Sequence, residues 1–211
     1  MLLGDQGPIN SLLFSTGVTS PDHPLTLIYT QFAVMSEPTP SRRHAGPSVL
    51  SEPLVNELIE ARLVGVLSTY DSAGFIHSVP MWYARIEGAV ILGTSSQSRK
   101  LRNLERDPRA TLVLHDSRPG YEVCGASITG TIEIVRGAHA EPLVALVHER
   151  YLAPEALADP TVRGFLASDD VVLRLEPTSA LTWDERGSAA AEVVRRAGGA
   201  IPLEPTSPRQ L

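Results

Sequence analysis

Between residues 63 and 94, three apolar, β-rich runs follow one another with almost nothing between them. Residues 63–70 and 75–86 are separated by Asp71-Ser72-Ala73-Gly74, and the second run passes into 89–94 through Glu87-Gly88. Runs rich in β-branched and aromatic residues, bounded by Asp, Ser and Gly, read as strands joined by hairpin turns. A parallel pair needs a crossover of a dozen or more residues, usually a helix. None fits at either junction, so an antiparallel meander is expected and a doubly wound parallel sheet is disfavoured.

The rest of the chain extends this plan. Ser51 and Pro53 open a short helix with Leu54, Val55, Leu58 and Ile59 at helical spacing. A second helix runs over 98–106, with Leu101 and Leu104 inward and Asp107-Pro108 as its stop. A strand at 110–114 leads through the loop Arg118-Pro119-Gly120 into a long alternating run at 121–135, where Ala126, Ile128, Ile132 and Ile134 share a face. Gly125 and Gly130 predict bulges or tight bends in that run, as a curling sheet requires. A third helix is expected over 139–151, with Leu143, Leu146, Val147 and Arg150 at helical period, and 171–175 and 180–183 supply the closing strands. The fold class is mainly β with flanking helices, the antiparallel sheet closing or nearly closing to remove its exposed edges.

At 211 residues the chain is the size of one domain with excess at its ends. Residues 1–48 scatter Pro, Ser, Thr and Gly without helical or strand period and read as a disordered extension, with Met35 the expected translation start. Its apolar clusters are broken by Gly17, Pro21 and Pro24, unlike a secretory signal. The domain is expected over 49–184, followed by a flexible tail at 185–211 that holds one or two Ala-rich helical turns. With 18 basic against 24 acidic residues the chain carries a charge of −6, a field that repels nucleic acid. The single cysteine, Cys124, forms no intrachain disulfide and reads as a small core residue. No apolar run approaches the ~20 residues of a membrane span. The expectation is a soluble cytoplasmic protein.

The stretch Gly93-Thr94-Ser95-Ser96-Gln97-Ser98-Arg99-Lys100 leaves a strand and enters a helix. A first helical turn offers free N–H groups and the positive end of the helix dipole, so an anion is favoured there. The hydroxyls of Thr94, Ser95, Ser96 and Ser98 add donors, Arg99 a planar fork and Lys100 a compact charge. Basic residues oppose the dipole in this position, and a phosphate ligand explains them. Lys100 is also the sole lysine of the chain. The alternative is that Ser96 or Ser98 caps the helix and both cations are solvated.

Ser98-Arg99-Lys100, followed by Asn103-Leu104 and Asp107-Pro108-Arg109-Ala110 and preceded by His77-Ser78-Val79-Pro80-Met81-Trp82-Tyr83, resembles the pyridoxamine 5′-phosphate oxidase-like split-barrel superfamily. Over about residues 52–184 the chain is most similar to its short branch of flavin/deazaflavin oxidoreductases that use coenzyme F420. The resemblance implies a homodimer of six-stranded antiparallel split β-barrels, with two cofactor sites at the subunit interface. Carried over residue by residue, Ser78, Val79, Pro80 and Trp82 line the isoalloxazine or deazaflavin edge. Thr94, Ser95 and Ser96 hold the ribityl and phosphate region, Ser98, Arg99 and Lys100 bind phosphate, and Asn103 is a further candidate. Ser78, Pro80 and Trp82 share one strand face and Val79 the other, so Val79 acts through its backbone.

The resemblance has limits. Pyridoxamine phosphate oxidases end in a segment rich in Arg, His and Trp, whereas here Glu176 to Asp184 carries only Trp183 of that set, which argues against vitamin B6 oxidation. Trp183 reads as a core residue, with a place over the partner's ring as the other option. His77, His115 and His148 lack carboxylate or histidine partners at metal-ligand spacing, so no metal site is expected and all three read as ordinary. No catalytic dyad is legible, which suits hydride transfer, where positioning outweighs acid–base help. Three readings stand: an F420-dependent oxidoreductase acting on a small molecule, an FMN-dependent one, and a non-catalytic flavin, deazaflavin or haem binder.

Overall fold

The computed structural model describes residues 41–46, 48–117 and 122–199. The start expected at Met35, the loop at 118–121 and the chain from residue 200 lie outside the described residues. In chain order the elements are β1 (Arg42–Ala45), a 3-10 turn (Val49–Ser51), α1 (Pro53–Glu60), β2 (Gly65–Tyr70), β3 (Ile76–Met81), β4 (Ala84–Ile86) and β5 (Ala89–Thr94). They continue as α2 (Arg99–Arg106), β6 (Arg109–Ser117), β7 (Val123–Arg136), a 3-10 turn (Gly137–His139), α3 (Glu141–Tyr151), α4 (Pro154–Ala158), α5 (Pro160–Leu166), β8 (Val171–Asp184) and α6 (Ala189–Arg196).

The expected meander is present, and every strand pair is antiparallel. The β2–β3 turn is built by Asp71, whose Oδ1 accepts from the N–H groups of Ala73 and Phe75 at 2.9 Å each. That is the Asx chemistry that makes Asp a turn former. The strands lie in the order β3-β2-β6-β7-β8-β5-β4, with β1 added on β8. Six strands have six or more residues, and β1 and β4 are short additions. The two ends of this order, β3 and β4, are separated in sequence only by Trp82 and Tyr83. Chain connectivity thus brings the sheet edges together without hydrogen bonding them, and the barrel is split along that seam.

The interior follows from alternation. Leu67, Leu112, Leu114, Ala126, Ile128, Leu173 and Leu175 point inward with Tyr83, and α1 and α2 close the core with Val55, Leu58, Ile59, Leu101 and Leu104. Each fully buried Leu or Ile contributes roughly 1.5–3 kcal/mol relative to exposure. On the outer side of β5 and β8, α3 packs Val144 and Val147 on Ile91 and Val172. Cys124 is buried and its thiol pKa is raised by desolvation, as a packing residue requires.

Several expectations are corrected. Residues 75–86 form two strands, because Trp82 and Tyr83 leave the sheet and the Tyr83 hydroxyl turns inward to donate to the Leu58 carbonyl at 2.9 Å. The closing segments are a single strand, β8, carrying a register shift opposite Thr129/Gly130. Gly130 is required there, since a Cβ would lie 2.1 Å from the Glu176 carbonyl oxygen. Gly125 makes no bulge; it leaves room for the Trp183 ring. The buried face of α3 is Val144, Val147 and His148, while Leu146 is exposed. Regular structure begins ahead of Ser51: β1 pairs with β8, where His44 Nε2 lies 3.0 Å from Thr182 Oγ1. Pairing across so many residues leaves no local pattern. No helix among the described residues is long and apolar enough to cross a membrane.

Candidate functional site

Where β5 ends and α2 begins, the chain forms one wall of a cleft of about 420 Å³. Ser98 is the N-cap of α2, its Oγ accepting from Leu101 N–H at 3.3 Å and from the Thr94 hydroxyl at 3.2 Å. Ser95 Oγ accepts from Gln97 N–H at 3.2 Å. Thr94, Ser95, Ser98 and Lys100 line the cleft on this side, and Pro80, Met81 and Trp82 line it from the barrel seam. Strand alternation alone would place Met81 and Trp82 on opposite faces. Both reach the cleft because the chain departs from strand geometry at Trp82.

Lys100 is the charged feature of this wall. It is half-buried, and no carboxylate among the described residues comes within ion-pair distance of it. Desolvation lowers its pKa, and the more distant charge of Asp169 partly offsets this. A desolvated ammonium without a counter-ion is unfavourable in a folded chain, and a bound anion removes the penalty. With hydroxyls and an apolar shelf beside it, the cleft has the donor set for a phosphate and a wall for a planar ring.

The other predicted positions are distributed differently. Arg99, one helical position before Lys100, is exposed and turns to the β2–β3 turn, its Nη2 2.8 Å from Asp71 Oδ2. Ser96 is exposed, and its N–H is taken by Asp170 Oδ1 at 2.6 Å. Asn103 is only 3% exposed and donates to Thr69 Oγ1 at 3.1 Å, a buried tie between α2 and β2. Ser78 lies on the outer face of the β2–β3 ribbon, 2.8 Å from Ser68 Oγ. Val79 packs its side chain against the core, so backbone contact is what it has to offer. The structure therefore gathers Pro80, Trp82, Thr94, Ser95, Ser98 and Lys100, and leaves Ser78, Val79, Ser96, Arg99 and Asn103 outside the cleft lining. Trp183 sits against Gly125 with its ring tilted toward His115 at 6.2 Å between centroids, as a packing residue.

The opposite wall was not legible in the sequence. Val64, Val147, His148 and Asp169 also line the cleft. His148, read as ordinary, is 6% exposed and places Nε2 3.0 Å from Asp169 Oδ2. Its ring meets the edge of Trp82 at 6.5 Å, and Trp82 in turn stacks on Tyr151 at 5.0 Å with 3° between planes. The Tyr151 hydroxyl donates to the Leu63 carbonyl at 2.7 Å, which fixes the stack. The partners are 21 residues apart on a helix and a loop, so no motif spacing announces them. Among the described residues no group of three or more His, Cys, Asp or Glu side chains is placed to hold a metal ion.

A split antiparallel barrel with an anion-ready cleft on its seam defines a class of phosphate-bearing cofactor binders. The chain belongs to the pyridoxamine 5′-phosphate oxidase family of split barrels, whose family model matches residues 51–184. Among solved structures it is similar to the conserved hypothetical protein Rv2991 from Mycobacterium tuberculosis, with 28% identity, a TM-score of 0.55, and coverage of 77% of this chain and 96% of that one. HutZ, the heme storage protein from Vibrio cholerae, is 18% identical with a TM-score of 0.50, covering 63% and 94% of the two chains, and shares the fold alone. A structure named F420 reductase is 23% identical with a TM-score of 0.49, covering 59% and 94%. No curated protein matches the chain significantly.

Proposed function

We propose that this protein is an F420-dependent oxidoreductase that reduces a small molecule, with the cofactor phosphate at Lys100. The observation that carries the reading is the half-buried ammonium of Lys100, lacking an ion-pair partner among the described residues, on the wall of a cleft floored by Pro80, Met81 and Trp82. Thr94, Ser95 and Ser98 hold the ribityl-phosphate region with hydroxyls, and Pro80 and Trp82 lie along the ring edge. Ser78 and the Val79 backbone belong to the ring's outer margin. Arg99 has the smaller share of the phosphate, because reaching it means leaving Asp71, and Ser96 must release Asp170 before its N–H can serve. Asn103 acts at one remove, by seating α2 on β2. A bound deazaflavin supplies a two-electron hydride donor, and the protein supplies orientation and a dry wall.

The same reading includes a homodimer. Val66, Tyr70 and Ile76 are exposed on the outer face of β2 and β3, with Pro80 in register beside Val66. A second copy on this face would bury that surface and close the open side of the cleft. The resemblance of the Ser98-Arg99-Lys100 stretch to the F420-using branch supports F420 ahead of FMN.

Titration of the purified protein with F420, FMN and haemin, followed by absorbance and fluorescence, tests the assignment. Tight binding of F420 is expected. FMN-only binding would reassign the cofactor, haemin-only binding would make the protein a carrier, and binding of none would sink the reading.

A further inference from the structure

The link from α5 to β8 carries two consecutive carboxylates, Asp169 and Asp170. Asp169 N–H donates to the Leu166 carbonyl at 3.0 Å, which closes the end of α5 and fixes the link. Pairing of Val171 with Thr94 then sets Asp170 beside the loop that follows Thr94. Its Oδ1 accepts from Ser96 N–H at 2.6 Å, and this hydrogen bonding lowers the Asp170 pKa, so the group is ionised at neutral pH. Asp169 lines the cleft itself. A Cβ on Gly93 would lie 3.6 Å from its Oδ2, and its charge reaches Lys100. Both carboxylates therefore border the seat assigned above to the cofactor phosphate.

The nearby cations do not cancel them. Among the described residues the charged groups of the cleft lining are Lys100 and Asp169, with His148 bonded to Asp169 at 3.0 Å. Arg99 is held by Asp71, Arg136 by Glu105, and Arg102 donates to the Gln97 carbonyl at 2.7 Å; these three stand outside the lining. Arg163 lines a neighbouring cavity of about 680 Å³ instead. An anion in the seat thus meets the ammonium of Lys100 with a carboxylate beside it, and takes the Ser96 N–H only by displacing a second carboxylate. Repulsion from both grows with every charge on the incoming group, whereas the hydroxyls and the apolar shelf serve any phosphate alike.

We propose that Asp169 and Asp170 are specificity residues that select a phosphodiester, with its single negative charge, over a phosphomonoester, with about two. This rests on the reading above that the cofactor phosphate sits at Lys100. The phosphate of F420 is a diester inside its side chain, and that of FMN is a terminal monoester, so the pair discriminates between the two cofactors by charge.

Fluorescence titration at pH 8 with F420, FMN and riboflavin, the last being FMN without its phosphate, tests this. In the wild type FMN should bind no more tightly than riboflavin, and F420 more tightly than either. The amide of Asp170→Asn keeps an oxygen for Ser96 N–H and loses the charge. Since the repulsion scales with charge, a gain of about threefold for the diester becomes about tenfold for the monoester. The Kd for FMN should therefore fall about tenfold in Asp170→Asn, that for F420 about threefold or less, and that for riboflavin should stay in place. Asp169→Asn should give the same order and carries the test should Asp170→Asn fail to fold. A ratio of FMN to riboflavin affinity that does not move in the folded variant, or equal gains for FMN and F420, overturns the proposal while leaving the cofactor site in being. Binding of none of the three ligands by wild type or variants sinks the cofactor reading itself, and the proposal with it.

Discussion

The two ends of β8 place cations in opposite circumstances. At its last residue, Asp184 and Glu57 grip Arg186 from both sides, with Asp184 Oδ2 2.7 Å from Nη2, and these hydrogen bonds raise the guanidinium pKa. At its first residue, Val171 pairs with Thr94 beside the cleft, where Lys100 has no such partner among the described residues and its pKa is lowered by desolvation. The glycines differ in the same sense. A Cβ on Gly125, at the far end, would lie 2.1 Å from a ring atom of Trp183, whereas on Gly93, at the cleft, it would meet nothing closer than 3.6 Å. One end is filled and its charges are matched. The other keeps space and an unmatched charge, which is unfavourable for folding and useful for binding.

Three comparisons sharpen this contrast. The largest effect is expected from Gly125→Ala, which forces the Trp183 ring aside and should destabilise the fold by about 3 kcal/mol. Gly93→Ala should change stability by less than about 1 kcal/mol. Thermal unfolding of the two variants checks this, and equal losses would break the contrast between a filled and an open end. Next, Lys100→Ala should weaken cofactor binding by about 2 kcal/mol, the scale of a hydrogen bond to a charged group, while unfolding at an unchanged or slightly higher temperature. Arg186→Ala should do the reverse, lowering stability by up to about 1 kcal/mol and leaving affinity as it was. Fluorescence titration beside calorimetry separates the two, and unchanged affinity in Lys100→Ala would mean that the phosphate sits elsewhere.

The smallest effect is a pH dependence. Burial lowers the Lys100 pKa below 10.5, so between its folded value and 10.5 the unfolded chain holds more protons than the folded one. Stability from this group therefore rises with pH across that window, while phosphate affinity falls as the ammonium is lost. Lys100→Met should remove both trends, and a melting profile with the same alkaline slope in wild type and variant would assign the effect to another group.

The turn at Asp71, the inward face of Ala126, Ile128 and Ile132, and the Ser98 cap of α2 were all legible in the sequence, because each depends on neighbours within a few residues. Lys100, marked by being the single lysine and by standing against the helix dipole, lies on the wall of the cleft. Its neighbour Arg99 was read as an equal partner in the same cleft. Only the tertiary structure turned it to Asp71, since consecutive helical residues point about 100° apart. Asn103 likewise read as a ligand position and is a buried tie.

Beyond that, an antiparallel barrel and a basic helix start were readable from local pattern. The seam where β3 and β4 meet, the Trp82–Tyr151 stack and the His148–Asp169 pair came from the folded chain alone. Local chemistry dictates which strands and helices form and which faces they bury. Partners that come from separate elements meet only when the sheet has curled, and that geometry is set by all the strands together.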